Sequence, residues 1–144
     1  MKISTKGRYG LKALIDIAMY SNSETVTLKS ISERQNISEG YLEQIFSALR
    51  KSGLVIGKKG AQGGYTLSKH ISTITIGEIL RTLEGNLSLV DIRNRDDADD
   101  LERCINENLW DAINKNINDY FDSITLEDLV NKYKSEADYY MYFI

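Results

Sequence analysis

The sequence of 144 residues contains no proline, one cysteine (Cys104) and one histidine (His70). A lone cysteine cannot form a disulfide within the chain, and no apolar run reaches the roughly 18 residues that a membrane-spanning helix requires. Charged side chains are spread through the first twenty residues, which does not fit a secretory signal peptide. We therefore expect a cytoplasmic protein.

Patterns typical of enzymes and metal sites are also lacking. The sequence offers no Ser-His-Asp set, no paired carboxylates in an apolar setting, and no cysteines and histidines at metal-ligand spacing. The segment Gly57-Lys-Lys-Gly60 lacks the spacing of a phosphate-binding loop. We expect His70 to be a surface residue at the end of a strand. The sequence predicts neither an enzyme nor a metal or cofactor site.

Charge is divided unevenly along the chain, although the net charge is only −3. Residues 1–70 hold 11 Lys and Arg against 5 Asp and Glu, a balance of +6, whereas the remainder holds 7 against 16, a balance of −9. A basic half is expected in a protein that meets a polyanion, because each neutralised phosphate releases counterions. Accidental clustering on solvated faces is the alternative explanation.

Apolar residues at helical spacing predict a mainly α fold with one small β-hairpin. Thr75 and Glu78 match a capping box, and Gly53 and Gly85 stand where helices usually end. We assign residues 1–85 to one domain and residues 86–144 to a linker, a long helix and an aromatic tail. The predicted helices are Thr5–Tyr20, Leu28–Gln35, Ser38 to Gly53, Thr75–Leu83, Leu101–Asp122 and a short one from Thr125 through Val130; the predicted strands are Leu54–Ile56 and Tyr65–Leu67.

Residues 28–67 have the layout of a winged helix-turn-helix: helix-turn-helix at about 28–51 and wing at 54–67. The outward face of the second helix is expected to reach base edges, while basic residues at its end, in the N-terminal arm and in the wing bind phosphates. The wing glycines either let backbone amides approach DNA or only form a turn. The predicted DNA contacts are Lys2, Ser4, Lys6, Arg8, Tyr9, Ser38, Glu39, Gly40, Tyr41, Glu43, Gln44, Ser47, Arg50, Lys51, Lys58, Lys59, Gly60, Gly63 and Gly64.

The predicted long helix carries an apolar stripe that the small first domain cannot cover. Uncovered apolar surface of this size usually marks an interface, so we expect a homodimer that reads a palindromic operator. The aromatic tail, Tyr139 to Ile144, either folds onto the core or the partner subunit, or docks to a second protein. The predicted dimerisation residues are Leu101, Ile105, Leu109, Ile113, Ile117 and Tyr120.

Two other kinds of binding module remain open. Gly60-Ala-Gln-Gly63 fits the short GxxG clamp of some RNA-binding domains, although that clamp joins two helices and β-prone residues flank it here. A winged helix that binds only proteins is the second alternative.

Several separated motifs together resemble the Rrf-two family of winged helix-turn-helix transcription regulators. They are MKISTKGRYG, SISERQNISEGYLEQIFSALRKSGLV, GKKGAQGGY, ITIGEILRTLEG, and LW with SITLEDL near the end. The resemblance implies double-stranded DNA as the partner, contacted through Glu43 and its neighbours, Lys59 in the wing, and the arm around Lys6 to Tyr9. It also implies that the long helix pairs two subunits.

Cluster-binding members of this family carry three cysteines and a histidine before and within the long helix. Here only Cys104 remains, while Ile92, Ala98 and Glu107 stand at the other positions. One thiolate cannot hold an iron-sulfur cluster, so we expect no cluster. Two interpretations of Cys104 stay open: a small buried hydrophobe or a redox-sensing thiol. An iron-sulfur or redox-responsive regulator of other genes is the alternative function.

Within the family, the likeness is strongest to the repressors of cysteine metabolism. It rests on the absent cluster cysteines, the acidic linker, SITLEDL and the aromatic C-terminus. The resemblance implies a repressor of cysteine and sulfur genes that is controlled through a complex with the cysteine synthase CysK.

Overall fold

Helices account for most of the chain in the computed structural model, which describes residues 1–21 and 24–143. The described residues form one β-hairpin and seven α-helices, confirming the predicted fold class. The helices are α1 Thr5–Tyr20, α2 Leu28–Gln35, α3 Glu39–Lys51, α4 Ile76–Glu84, α5 Asp100–Ile105, α6 Asp111–Ser123 and α7 Leu126–Phe143; the strands are β1 Val55–Lys58 and β2 Gly64–Leu67. No helix in these ranges is long and apolar enough to span a membrane.

Side-chain caps define where the first helices begin. The hydroxyl of Thr27 accepts from the backbone N–H of Ser30 at 3.1 Å, and the Ser38 hydroxyl accepts from that of Tyr41 at 3.2 Å. Gly53, at φ 83°, follows the end of α3, because glycine adopts this left-handed conformation without strain.

The predicted capping box of α4 forms only in half. Thr75 Oγ1 accepts from the backbone N–H of Glu78 at 3.1 Å. The Glu78 carboxylate does not return to Thr75 but accepts from Lys69 Nζ at 2.9 and 3.1 Å. The nearby cation therefore replaces the backbone donor that the motif usually uses.

One apolar core lies between the first four helices and the hairpin. The apolar spacing of α3 predicts an inward face made of Tyr41 or Leu42 with Ile45, Phe46 and Leu49. Leu42 and the other three are fully buried, which confirms this face, and residues of α1, α2, α4 and α7 meet them. This packing fixes the orientation of α3 relative to the rest of the domain. The fully buried core side chains include Leu14, Ile17, Ile31, Leu42, Ile45, Phe46, Leu49, Ile79, Leu80 and Leu126.

The hairpin is antiparallel, with Val55 opposite Leu67 and Lys58 opposite Gly64. A third segment adds to its edge, because Val26 exchanges two backbone hydrogen bonds with Tyr65, at 2.9 and 2.8 Å. The wing is thus anchored to the chain that leads into α2.

Helices α5 and α6 form one continuous helix from 100 to 123, here called the long helix, joined by a π-helical segment, Asn106–Trp110. Its predicted extent, Leu101–Asp122, is confirmed within two residues. A π segment holds one residue more than an α turn, so it rotates the faces of the helix on either side of it. The acidic stretch before the long helix is exposed and contains only a short 3₁₀ turn, Arg95–Asp97.

The predicted end of the chain is wrong in one respect. A short helix and a separate aromatic tail were expected, but α7 continues over 18 residues through Tyr139 to Phe143. The reason is that no glycine or proline lies between 126 and 143 to stop a helix. Ile144, the last residue of the predicted tail, lies outside the described residues.

Candidate nucleic-acid interface

The face of α3 opposite the core is open to solvent. Glu39, Glu43, Gln44 and Arg50 are exposed on it, and Ser47 is half-buried. Alternation of buried and exposed positions at the helical period produces this division. The face is polar, carries both acceptors and donors, and has the dimensions of a helix that fits a major groove. The remaining predicted contacts on this helix, Ser38, Gly40 and Lys51, are also exposed.

Tyr9 and Tyr41 connect α1 with α3. Both rings are half-buried, and they pack edge to face with centroids 5.9 Å apart. Such aromatic pairs stabilise packing beyond their buried area. These two predicted DNA contacts therefore also hold α3 against α1.

A buried ion pair fixes α2 to α1. Asp16 is fully buried, and its two carboxylate oxygens accept from Arg34 Nε at 2.9 Å and Nη2 at 2.7 Å. Gln35 Nε2 donates to the same carboxylate at 2.8 Å, and the Arg34 guanidinium lies 4.2 Å from the centroid of the Tyr20 ring. The hydrogen bonds that Arg34 donates to the Asp16 carboxylate raise the pKa of Arg34 above its usual value. This pair was not predicted from the sequence, although an aspartate on the apolar face of α1 was a signal for it.

The N-terminal arm is held by a carboxylate from the end of α4. Glu84 Oε1 accepts from the backbone N–H and hydroxyl of Ser4, at 2.9 and 2.5 Å, and from the backbone N–H of Gly7 at 3.1 Å. A side chain at Gly7 would collide with this carboxylate. Ser4, a predicted phosphate contact, is thus engaged within the protein. Lys2 and Arg8 are exposed, while Lys6 is half-buried.

The tip of the wing presents Lys58, Lys59 and Gly60 to solvent. Behind the tip, the Gly63 backbone N–H donates to Gly60 O at 2.9 Å, and Gly64 has φ 147°. A Cβ atom at Gly64 would lie 2.6 Å from Val26 O. Turn geometry therefore accounts for Gly63 and Gly64, whereas the exposed lysines carry the charge.

The GxxG segment does not join two helices. Gly60 to Gly63 forms the turn between β1 and β2. This position does not match the clamp of the RNA-binding domains considered above, so it gives that alternative no support.

Large apolar side chains are exposed along the long helix. Leu101 is 70% exposed, Leu109 50% and Tyr120 65%, and Ile105 is also exposed. Ile113 and Ile117, which follow the π segment, are half-buried. The exposed part of the predicted stripe is therefore concentrated in its first half and at Tyr120.

Cys104 is exposed, so the interpretation as a buried hydrophobe is wrong. Its Sγ lies 3.7 Å from Asn108 Nδ2. The half-buried Ile92 and Ala98 line an open cavity beside Trp110 and offer no metal ligands, and Glu107 is exposed. Within residues 1–21 and 24–143 no three His, Cys, Asp or Glu side chains are grouped to hold a metal. This donor set does not fit an iron-sulfur cluster.

The chain matches one family model and named transcriptional regulators over most of its length. The Rrf2 family model, described as an iron-dependent transcriptional regulator, matches residues 3–132. The HTH-type transcriptional regulator CymR of Bacillus subtilis is 44% identical over 144 residues, 100% of both chains. The HTH-type transcriptional regulator IscR of Pectobacterium atrosepticum is 39% identical over 131 residues, which are 91% of this chain and 80% of that relative.

The fold matches as well. The solved structure of CymR (YrzC), the global cysteine regulator of B. subtilis, is similar with a TM-score of 0.78 and 42% identity, covering 92% of this chain and 98% of that one. The matched relatives are named as regulators, which confirms the prediction that the chain is not an enzyme.

Proposed function

This chain belongs to the Rrf2 family of transcriptional regulators and is a DNA-binding regulator, and we propose that it is a dimeric repressor of genes for cysteine and sulfur metabolism. The observation that carries this proposal is the end-to-end match with a global cysteine regulator, over all 144 residues. The donor set around Cys104 supports it, since Ile92 and Ala98 cannot ligate a cluster.

In the proposed complex, α3 enters the major groove and the wing lies beside it. Glu43 and Gln44 read base edges, because a carboxylate can accept from cytosine and an amide can pair with adenine. Arg50 and the wing lysines bind phosphate oxygens, which position the protein without specifying sequence. We propose residues 1–85 as the DNA-binding domain and, as its DNA-contacting surface, the predicted contacts other than Ser4, Gly63 and Gly64.

Two substitutions on α3 distinguish phosphate binding from the reading of base edges. Arg50→Ala is expected to weaken binding to operator and random duplexes by a similar factor and to reduce the salt dependence by about one phosphate contact. Glu43→Ala is expected to change base preference at one position, worth about 1–3 kcal/mol. Lys29→Ala, on the exposed side of α2, serves as the control. Equal effects of Glu43→Ala on operator and random DNA would refute its base-reading role.

Dimerisation through the long helix explains why large apolar side chains are exposed there. Leu101, Ile105 and Leu109 form the centre of the proposed interface, with Tyr120 at its edge. A two-fold dimer presents two recognition helices to a palindromic operator, with half-sites about one helical turn apart or a little more.

The choice of genes is tested by selecting fragments of the source genome that the purified protein binds. We expect enrichment of sites upstream of cysteine and sulfur genes, and reporter expression that rises when the gene for this protein is deleted. Enrichment upstream of unrelated genes would reject the cysteine assignment. A deletion that lowers expression would indicate an activator.

We also propose cysteine synthase as a partner, on the basis of family resemblance. The exposed Tyr139, Tyr140 and Met141 on α7 offer an aromatic surface for it. Size-exclusion chromatography of the protein mixed with cysteine synthase from the same source is the test, with and without O-acetylserine. Co-elution of wild type, but not of the Tyr140→Ser variant, is expected. Separate elution under both conditions would reject this partner.

A redox-responsive regulator is the second candidate, because the single thiol is exposed. If Cys104 controls DNA release, peroxide abolishes operator binding by wild type but not by Cys104→Ser. If the chain is instead a repressor without a redox switch, as proposed above, both wild type and Cys104→Ser retain operator binding after peroxide treatment.

A further inference from the structure

Two asparagines of α6 bind the segment that leaves the DNA-binding domain. The Asn114 side chain accepts from the backbone N–H of Leu89 at 2.7 Å and donates to the carbonyl of Val90 at 2.9 Å. The amide thus satisfies one backbone donor and one backbone acceptor of this segment, which holds the segment in one register against α6. One turn later, Asn118 Nδ2 donates to the carbonyl of Leu87 at 2.7 Å.

The same helix face is tied to α4. Arg81 Nη1 donates to Asn118 Oδ1 at 2.9 Å, and Arg81 also forms an ion pair with Asp122. A side chain at Gly77 would collide with the Asp122 carboxylate, so the two helices lie close together. Arg81 and Asp122 are partly exposed, which places this contact at the rim.

A third contact lies at the other end of α6. The Ile76 backbone N–H donates to the carbonyl of Ile124 at 2.9 Å, and that of Leu126 donates to the carbonyl of Ile74 at 2.8 Å. The start of α4 and the turn after α6 are therefore joined by a short backbone pairing. Together with the two asparagines, it fixes α6 against the DNA-binding domain at two separate places.

We propose that Asn114 and Asn118 are positioning residues that set the spacing of the two DNA half-sites by fixing the angle between the long helix and the DNA-binding domain. The proposal rests on the dimeric DNA-binding function proposed above. In a two-fold dimer, the same rotation occurs in both subunits about symmetry-related axes. A change of angle at this contact therefore alters the position of both recognition helices and hence their separation.

The separation of the two recognition helices can be probed by changing the spacing of the half-sites on DNA. Each added base pair moves a half-site by about 3.4 Å and rotates it by about 35° around the duplex. A rigid dimer can follow that change only by distorting itself or the DNA, and we expect such distortion to weaken binding by about tenfold or more. A dimer whose DNA-binding domains can rotate about α6 can follow the changed spacing with little loss of affinity.

The test compares operators whose half-sites are moved together or apart by one or two base pairs. Wild type is expected to prefer one spacing by about tenfold over its neighbours. The Asn114→Ala/Asn118→Ala variant is expected to bind neighbouring spacings within about threefold of the best one. Asn116→Ala is the matched control, because Asn116 lies on the same helix, is exposed and makes none of these contacts. Light scattering verifies that each variant is dimeric.

Three results would overturn the inference. One is a dimeric double variant that keeps the wild-type preference, and another is a variant that loses affinity equally at every spacing. The third applies if the double variant does not fold. Arg81→Gln, which alters only the rim of the contact, is then tested instead. An Arg81→Gln variant with the wild-type preference for one half-site spacing rejects the inference. Wild type without duplex binding would instead reject the proposed function.

Discussion

Replacing Arg34 by alanine removes one partner of a fully buried carboxylate. Asp16 is 0% exposed and receives both of its charge-assisted hydrogen bonds from Arg34, so the substitution leaves it with Gln35 alone. Removing one partner of a buried pair typically costs about 3–5 kcal/mol, because the remaining charge stays away from water. The Arg34 side chain is 31% exposed, so water can reach part of the space it leaves.

The expected loss of stability therefore lies near the lower limit, about 3 kcal/mol. For a chain of this length, that corresponds to a fall in Tm of roughly 10 °C. Urea unfolding followed by circular dichroism measures it, at one fixed protein concentration because the proposed dimerisation would contribute to stability. Lys29→Ala, an exposed change on the same helix, should stay within about 0.5 kcal/mol of wild type.

A double-mutant cycle isolates the pair itself. With Asp16→Ala present, the further change Arg34→Ala no longer strands a buried charge, so it should cost at least about 1 kcal/mol less than in wild type. If Arg34→Ala alone lowers the free energy of unfolding by less than about 1 kcal/mol, the reasoning is refuted, because a loss of that size is typical of an exposed ion pair.

Three further predictions concern the interface, the linker and the wing. Leu109→Asp places a charge among exposed apolar side chains, and it should raise the dimer dissociation constant by about 30-fold, seen by light scattering; an unchanged dimer would exclude this face. Arg95 lowers the pKa of Asp111, so the stability that Asp111 adds over Asp111→Asn should be present above the ordinary pKa and vanish as pH falls through the lowered one; pH-dependent unfolding measures it. Gly64→Ala brings a methyl group against the Val26 carbonyl and should destabilise the wing by about 1–3 kcal/mol, which hydrogen exchange of the hairpin amides would report.

The sequence was sufficient to predict features that depend on local pattern. Helix α3 has a capping serine, a buried face at helical spacing and a glycine after its end, so its limits and inward residues followed directly. The hairpin was also expected, although each strand is one residue longer than its β-prone run and β1 begins at Val55 and ends at Lys58. Backbone pairing, rather than residue preference, decides those last positions.

Features that join distant parts of the chain could not be predicted in the same way. Glu84 closes the N-terminus of α1 from 80 residues away, and Arg34 finds Asp16 only after two helices have packed. The π segment Asn106–Trp110 interrupts the predicted long helix, and it has no reliable sequence pattern. The last helix was predicted to end after Val130, although no breaker residue stands there to end it, and α7 continues to Phe143.

The carboxylate of Glu84 affects how this protein is attracted to DNA. The first turn of a helix normally offers free amides and a partial positive charge to a passing phosphate. In α1 an internal anion already accepts from the amide of Gly7 and from the backbone N–H and hydroxyl of Ser4. In the proposed complex, DNA therefore meets a helix end at which a carboxylate already offsets the partial positive charge. The arm's share of the counterions released on binding should count its lysine and arginine side chains, with no contribution from the helix itself.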